Sequence, residues 1–241
     1  MSDLQKRAGL EVSEMFTSVQ GEGVHAGRLM TFLRFFGCSC ACPWCDSAYA
    51  REEGGHLTSY AGETGALQLA LEVVRELSER FVKGSKPVVC LTGGEPTEQN
   101  PRLMYLFLKF LREFWDDLNT PREYEPLRVH VETNGSDMAS TMLDWVDWVT
   151  VSPKPTTSEY LHGEYMRADE LKYVLDKGEK LPEFLAPPKS RLLMVMPKTI
   201  YPFSENLAYN LESYAWAANM VCLSGGKWVM TGRLQEICKI R

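Results

Sequence analysis

Residues 30–47 read MTFLRFFGCSCACPWCDS, and the change of character inside this stretch decides the architecture. Positions 30–36 are apolar, aromatic-rich and about the length of a buried strand, so they are read as one. Gly37 ends the strand, and Cys38, Cys40, Cys42 and Cys45 follow within eight residues.

Five further apolar runs have similar length: 87–91, 127–132, 148–152, 170–175 and 191–196. Helical periodicity lies between them. In 65–82, Leu67, Leu71, Val74, Leu77 and Phe81 recur every three or four positions. In 101–118, Leu103, Leu106, Phe107, Phe110, Leu111 and Phe114 form one broad apolar face; a last helix is predicted at 205–221. Alternating strands and helices argue for a parallel sheet with crossover helices, an α/β fold with six strands, two short of a complete eight-stranded barrel. Polar or Gly/Pro-rich residues follow nearly every strand: Thr92-Gly93-Gly94-Glu95-Pro96, Thr133-Asn134-Gly135, Pro153-Lys154-Pro155 and Pro197-Lys198. Active sites of parallel α/β folds form at the carboxyl ends of the strands, so these loops and the cysteines are predicted to share one rim.

Cys38, Cys42 and Cys45 have C-x3-C-x2-C spacing. Three thiolates on one loop can hold three irons of a 4Fe-4S cubane and leave the fourth open to a chelating ligand. A structural zinc is the alternative, although zinc ribbons draw cysteine pairs from two separated knuckles. Cys40 is expected to be a bystander. The glycines of the Thr92–Pro96 loop allow close backbone approach to a ligand, and Glu95 could receive a ligand ammonium.

The rest of the composition narrows the class. The 241 residues fit one large domain, 1–241, better than two small ones. Hydrophobic residues make up 44%, which excludes a disordered chain. With 26 basic and 32 acidic residues the net charge is −6, which gives no reason to expect nucleic-acid or anionic-membrane partners. No targeting segment or apolar run of about 18 residues is read, so a cytoplasmic setting is expected. Clustered thiols in such a chain point to metal, not disulfides.

At this point the residues resemble a known family. C-x3-C-x2-C with a GGEP-type loop is similar to the radical S-adenosylmethionine (SAM) superfamily and, within it, to the 7-carboxy-7-deazaguanine synthases. The matching text is FTSVQGEG at 16–23, FLR at 32–34, CPWCDS at 42–47, TGGEP at 92–96, VETNG at 131–135, SPK at 152–154 and DELK at 169–172.

The resemblance implies a modified, partial (β/α)6 TIM-like barrel of the radical SAM type. It implies a carbon–nitrogen lyase that contracts 6-carboxy-5,6,7,8-tetrahydropterin to 7-carboxy-7-deazaguanine with loss of ammonia. The implied cofactors are a 4Fe-4S cluster on Cys38, Cys42 and Cys45, SAM, and Mg2+ bound through Ser47. Val19, Gln20, Gly21, Arg34 and Thr92 would hold the substrate. Trp44, Cys45, Asp46, Gly94, Glu132, Asn134, Ser152, Pro153 and Lys154 would contact SAM. An electron donor such as flavodoxin and a homodimer are also implied.

Blander readings stand beside these. Gln20–Gly23 could be a plain hairpin turn, Arg34 a solvated strand residue, and Lys154 and Lys172 surface charges; His25, His56, His130 and His162 show no ligand spacing. A glycyl-radical enzyme activase would share the cysteines and GGEP, and a zinc-bound binding module is the non-catalytic alternative. The segment 200–241 departs from the family. Met196-Pro197 stands where relatives have Gln-Pro, and the closing residues Leu234–Arg241 lack their usual Gln-Thr-His-Lys-like element. The resemblance therefore does not extend to the contacts with adenine and with the far end of the substrate.

Overall fold

The computed structural model describes residues 5–40, 42–51, 55–119, 123–154, 168–182, 192–200 and 204–239. Its framework is one mixed sheet. The six expected strands are present as β2 (Leu29–Phe35), β4 (Val88–Gly93), β5 (Arg128–Thr133), β6 (Trp148–Val151), β7 (Glu170–Leu175) and β8 (Leu192–Pro197). They lie side by side in that order, and every adjacent pair is parallel.

Three strands escaped the sequence reading. β1 (Gly9–Val19) pairs antiparallel with β2, β3 (Thr58–Ala61) pairs antiparallel with β1 at one edge, and β9 (Val229–Met230) adds to β8 at the other. β1 was hidden because its middle, Ser13-Glu14-Met15, breaks the apolar run. A register shift between Val12 and Glu14 absorbs that interruption and sets Glu14 opposite Arg34.

Helices α1 (Gly62–Arg80), α2 (Pro101–Leu118) and α3 (Leu207–Leu223) match the three periodic segments; a short α4 (Leu234–Cys238) follows. Asn100 caps α2 by accepting from the amides of Arg102 and Leu103, with Pro101 in the first turn. In α1 the predicted stripe holds at Val74, Leu77 and Phe81 but not in the first turns. Leu67 and Leu71 face solvent, while Ala66, Leu69, Ala70, Val73 and Leu77 are buried. Small alanines let this helix lie close to the sheet. The crossover between β5 and β6 is only a 3-10 turn, Thr141–Trp145, which makes the α/β pattern a modified one.

Strand alternation then sorts the side chains. Leu33, Phe35, Val89, Leu91, Val129, Val131, Val149, Val151, Leu171 and Leu175 pack with α1 and α2 in the main core. Their neighbours point to the other face. There the lower layer is apolar, with Met30, Phe32, Val88 and Cys90, and the upper layer is polar, with Arg34, Thr92, Glu132 and Lys172. The apolar floor seals the sheet, and the polar ceiling opens into the pocket described next.

Candidate active site

The loops after β2, β4, β5 and β6 meet in one pocket with the turn between β1 and β2, as the strand endings predicted. Of the residues singled out in the sequence, Cys38, Cys42, Trp44, Cys45, Asp46, Ser47, Gly94, Glu132, Asn134, Ser152 and Lys154 line it. So do Val19, Gln20, Gly21, Arg34 and Thr92. Pro153 is buried behind this wall and does not line it.

One wall is the cysteine loop. Cys38, Cys40, Cys42 and Cys45 are all free thiols facing the pocket. Arg51 donates to the carbonyls of Cys40 (3.1 Å) and Cys42 (3.3 Å), and Glu98 accepts the Ser39 amide at 2.9 Å. The Asn134 amide reaches the sulfurs of Cys38 at 3.6 Å and Cys40 at 3.5 Å. A hydrogen bond to Cys40, then burial, raises the Cys38 thiol above its ordinary value. Burial likewise raises Cys42, against the pull of Lys154.

The donor set fits an iron–sulfur cluster: soft thiols, three of them in C-x3-C-x2-C spacing, on a loop clamped from outside. Among the described residues no three His, Cys, Asp or Glu side chains converge on one metal-ion position.

The TGGEP loop is strapped to the end of β2 by Gly94 N–H to Phe35 O (2.9 Å) and Glu95 N–H to Gly37 O (2.7 Å). Its glycines serve that packing. A Cβ on Gly93 (φ +102°) would meet the Arg34 side chain at 2.1 Å, and one on Gly94 would meet Gly37 O at 2.0 Å. Glu95 is buried and already accepts from Thr97 N, Thr97 Oγ1, Thr133 Oγ1 and Asn134 N. It therefore braces β4 against β5 while also lining the pocket, with Oε1 taking both Thr97 bonds and Thr133, and Oε2 taking the Asn134 amide.

The opposite wall is a buried charge network. Arg34 points inward. Its Nε donates to Glu14 at 2.8 Å, and its guanidinium lies over Phe16 and Tyr49. Glu132 accepts from Thr92 (3.0 Å) and Gln20 (3.2 Å) and pairs with Lys172 at 3.5 Å. Lys172 is 4% exposed and also holds Glu22 at 2.6 Å. It is no surface charge. Burial opposes its charge, but Glu132 and Glu22 outweigh that and keep it above the usual lysine value. Burial would raise Glu22, yet Lys172 and Arg233 hold it at about 2. Lys154, which donates to Ser152 Oγ at 2.9 Å, is lowered by burial and then by Lys172, against the pull of Cys42, Glu22 and Asp46.

The departure at the C-terminus proves to be part of this wall. Leu234 N–H reaches Gly21 O at 3.0 Å, Thr231 accepts from Gly23 N–H at 2.7 Å, and Gln235 donates to Glu22 at 2.7 Å. Arg233 joins the two walls, 3.4 Å from both Glu22 and Asp46. Arg233, Gln235, Arg51 and Glu98 were not found in the sequence, and Glu22 was read only as part of the 16–23 motif, without a role. Lys172 had a signal: it has inward strand parity with Glu170, beside outward Leu171. Met196 lines the pocket, and the ammonium of Lys198 beyond it lies over the Trp44 ring at 4.6 Å.

Below the polar layer, His25 from the β1–β2 turn stacks on His130 and Trp148, each 4.6 Å away. Burial, then His25 and Arg28, pushes His130 down to about 3. These two histidines pack against each other and Trp148 within the fold. His162 lies outside the described residues.

A parallel sheet with three cysteines on the loop after its leading parallel strand defines a radical SAM protein, and the Radical SAM superfamily pattern matches residues 33–200. Within that superfamily the chain belongs to the 7-carboxy-7-deazaguanine synthase family. A protein of that name from Bacteroides thetaiotaomicron is 32% identical over 69% of this chain and 70% of its own. One from Prochlorococcus marinus is 30% identical over 71% and 67%, and one from Nitratidesulfovibrio vulgaris 29% over 90% and 92%. The crystal structure of QueE from Escherichia coli has the same fold, with a TM-score of 0.57 at 19% identity, covering 96% of both chains.

Proposed function

We propose that this chain is a radical SAM ring-contracting lyase, converting 6-carboxy-5,6,7,8-tetrahydropterin to 7-carboxy-7-deazaguanine and ammonia. The carrying observation is the pairing, in one pocket, of a cluster-binding cysteine loop with a half-buried guanidinium, that of Arg34. Glu14 occupies Arg34 Nε, so the outer edge of the guanidinium stays available to a planar carboxylate. A glycyl-radical activase needs no such clamp, since its substrate is a protein.

When bound, the cluster and SAM supply the radical that starts the rearrangement. Cys38, Cys42 and Cys45 would hold the cluster, and Trp44, Asp46, Gly94, Asn134, Ser152 and Lys154 would orient SAM. Product plus ammonia contains the same atoms as the substrate, so the protein need supply no net redox equivalent. It must instead move protons. Glu132, held by Thr92, Gln20 and Lys172, is the carboxylate placed to accept one, and the Lys172 ammonium to return one as ammonia leaves. Ser47, whose hydroxyl lies 3.7 Å from Cys45 Sγ, offers a hard oxygen to Mg2+. A one-electron donor of the flavodoxin kind, a homodimer and a cytoplasmic setting complete the reading, supported by the family likeness. Among the described residues no helix is long and apolar enough to cross a membrane.

The test is anaerobic turnover of reconstituted protein with SAM, a chemical reductant and the carboxy-tetrahydropterin, with and without Mg2+. The expected product is 7-carboxy-7-deazaguanine, identified by absorbance and mass. Iron-replete protein that cleaves SAM but forms no deazaguanine would overturn the pterin reading.

A further inference from the structure

The cysteine loop carries one thiol more than its three-cysteine motif uses, and the structure keeps that thiol inside. Cys40 is 8% exposed, whereas Ser39 beside it is exposed. The backbone around it is held from outside: Glu98 takes the Ser39 amide and hydroxyl, and Arg51 grips the Cys40 and Cys42 carbonyls. With both flanks fixed outward, the Cys40 side chain enters the pocket. There it hydrogen-bonds with Cys38, and one Asn134 nitrogen lies within 3.6 Å of both sulfurs. Cys42 and Cys45 line the same pocket, so four thiols face a site whose motif needs three.

We propose that Cys40 is a displaceable fourth ligand, which covers the otherwise open iron while SAM is absent and yields to the amino-acid end of SAM. The proposal rests on the radical SAM reading of the site and is independent of the pterin. On ligation the thiol proton passes to water as the sulfur–iron bond forms. When the amino and carboxylate groups of SAM take the iron, that bond breaks and the sulfur recovers a proton from water, with no electron transferred. A soft thiolate suits an iron corner. Cys40 is only two residues from Cys38, and its thiol already hydrogen-bonds with the Cys38 thiol in the same pocket.

The experiment uses the full chain, reconstituted anaerobically, as wild type, Cys40→Ser and Cys40→Ala, with SAM titrated in the absence of pterin. Iron and sulfide contents should be equal in all three. The electron paramagnetic resonance spectrum of the reduced cluster should differ between wild type and Cys40→Ala before SAM, and become the same after it. Cys40→Ala should bind SAM roughly tenfold more tightly if the thiolate-covered form is about nine-tenths of the wild-type population. Identical spectra before SAM with equal SAM affinity would make Cys40 a bystander and overturn the proposal. Loss of iron from both variants would overturn it too, by making Cys40 a permanent ligand.

Discussion

The two walls of the pocket are built in opposite ways. The cysteine wall is the more local: Arg51 grips carbonyls 9 and 11 residues away, although Glu98 takes the Ser39 amide across 59. The charged wall is assembled from afar. Lys172 meets Glu22 across 150 residues, Thr231 meets Gly23 across 208, and Gln235 meets Glu22 across 213. A loop that carries its own clamp needs few other elements in register. The charged wall exists only when β1, β7 and the C-terminal segment all stand in the right place. The cysteine wall should therefore survive changes that destroy the other.

The strongest way to break the comparison is Lys172→Met. It leaves Glu22 and Glu132 facing each other without the ammonium between them. Removing one partner of a buried ion pair costs roughly 3–5 kcal/mol, so the urea midpoint of the reconstituted protein should drop by a corresponding amount. Iron content measured under native conditions should not change. A loss below about 1 kcal/mol would show the network to be far better hydrated than its burial implies.

The same contrast explains what the sequence made legible. All six parallel strands, the three long helices and the rim were readable, because hydrophobic period and strand endings are local signals. So were most pocket residues, since Cys42–Ser47, Thr92–Pro96 and Val131–Gly135 are contiguous motifs. Arg233 and Gln235 were not. They sit in a segment without a familiar motif, and only tertiary contact with Gly21 and Glu22 reveals them. Inward strand parity pointed to Lys172 but could not separate a buried network from a solvated face. Only the start of the α1 stripe was misplaced, at Leu67 and Leu71, because leucine spacing outweighed the alanines that face the sheet.

Arg233→Met sharpens the comparison at the one place where the walls touch. The guanidinium is tied to Glu22 on one side and Asp46 on the other, with Glu236 at 2.8 Å. Losing charged hydrogen bonds of this kind costs about 1.5–3 kcal/mol. The expected fall in kcat/KM is therefore about 10- to 100-fold, through misplacement of the Gln20–Glu22 turn. Iron content should stay at the wild-type level. A variant that turns over normally would show that the C-terminal segment only covers the pocket; one that loses iron would show the walls are not independent.

The smallest effect at neutral pH concerns what supports the charged wall from below. His25 belongs to the same turn as Gln20 and Glu22, and it rests on His130 and Trp148. His130 ordinarily titrates near 6.5 and is held at about 3 in the fold by burial and by the nearby His25 and Arg28, with Asp147 opposing. Below pH 6.5 the unfolded chain gains a proton there that the folded chain refuses until about pH 3. Stability is thus fully present above pH 6.5 and falls as the pH drops through that window, by about 1.4 kcal/mol per unit for one proton. From neutrality to pH 5 the wild type should lose roughly 2 kcal/mol from this group, read from urea unfolding followed by circular dichroism. His25, also lowered by burial, acts in the same direction. His130→Gln keeps a polar side chain but cannot titrate, so its stability should vary less over the same range. Equal pH slopes for wild type and variant would mean that the imidazole stack is not what carries the turn.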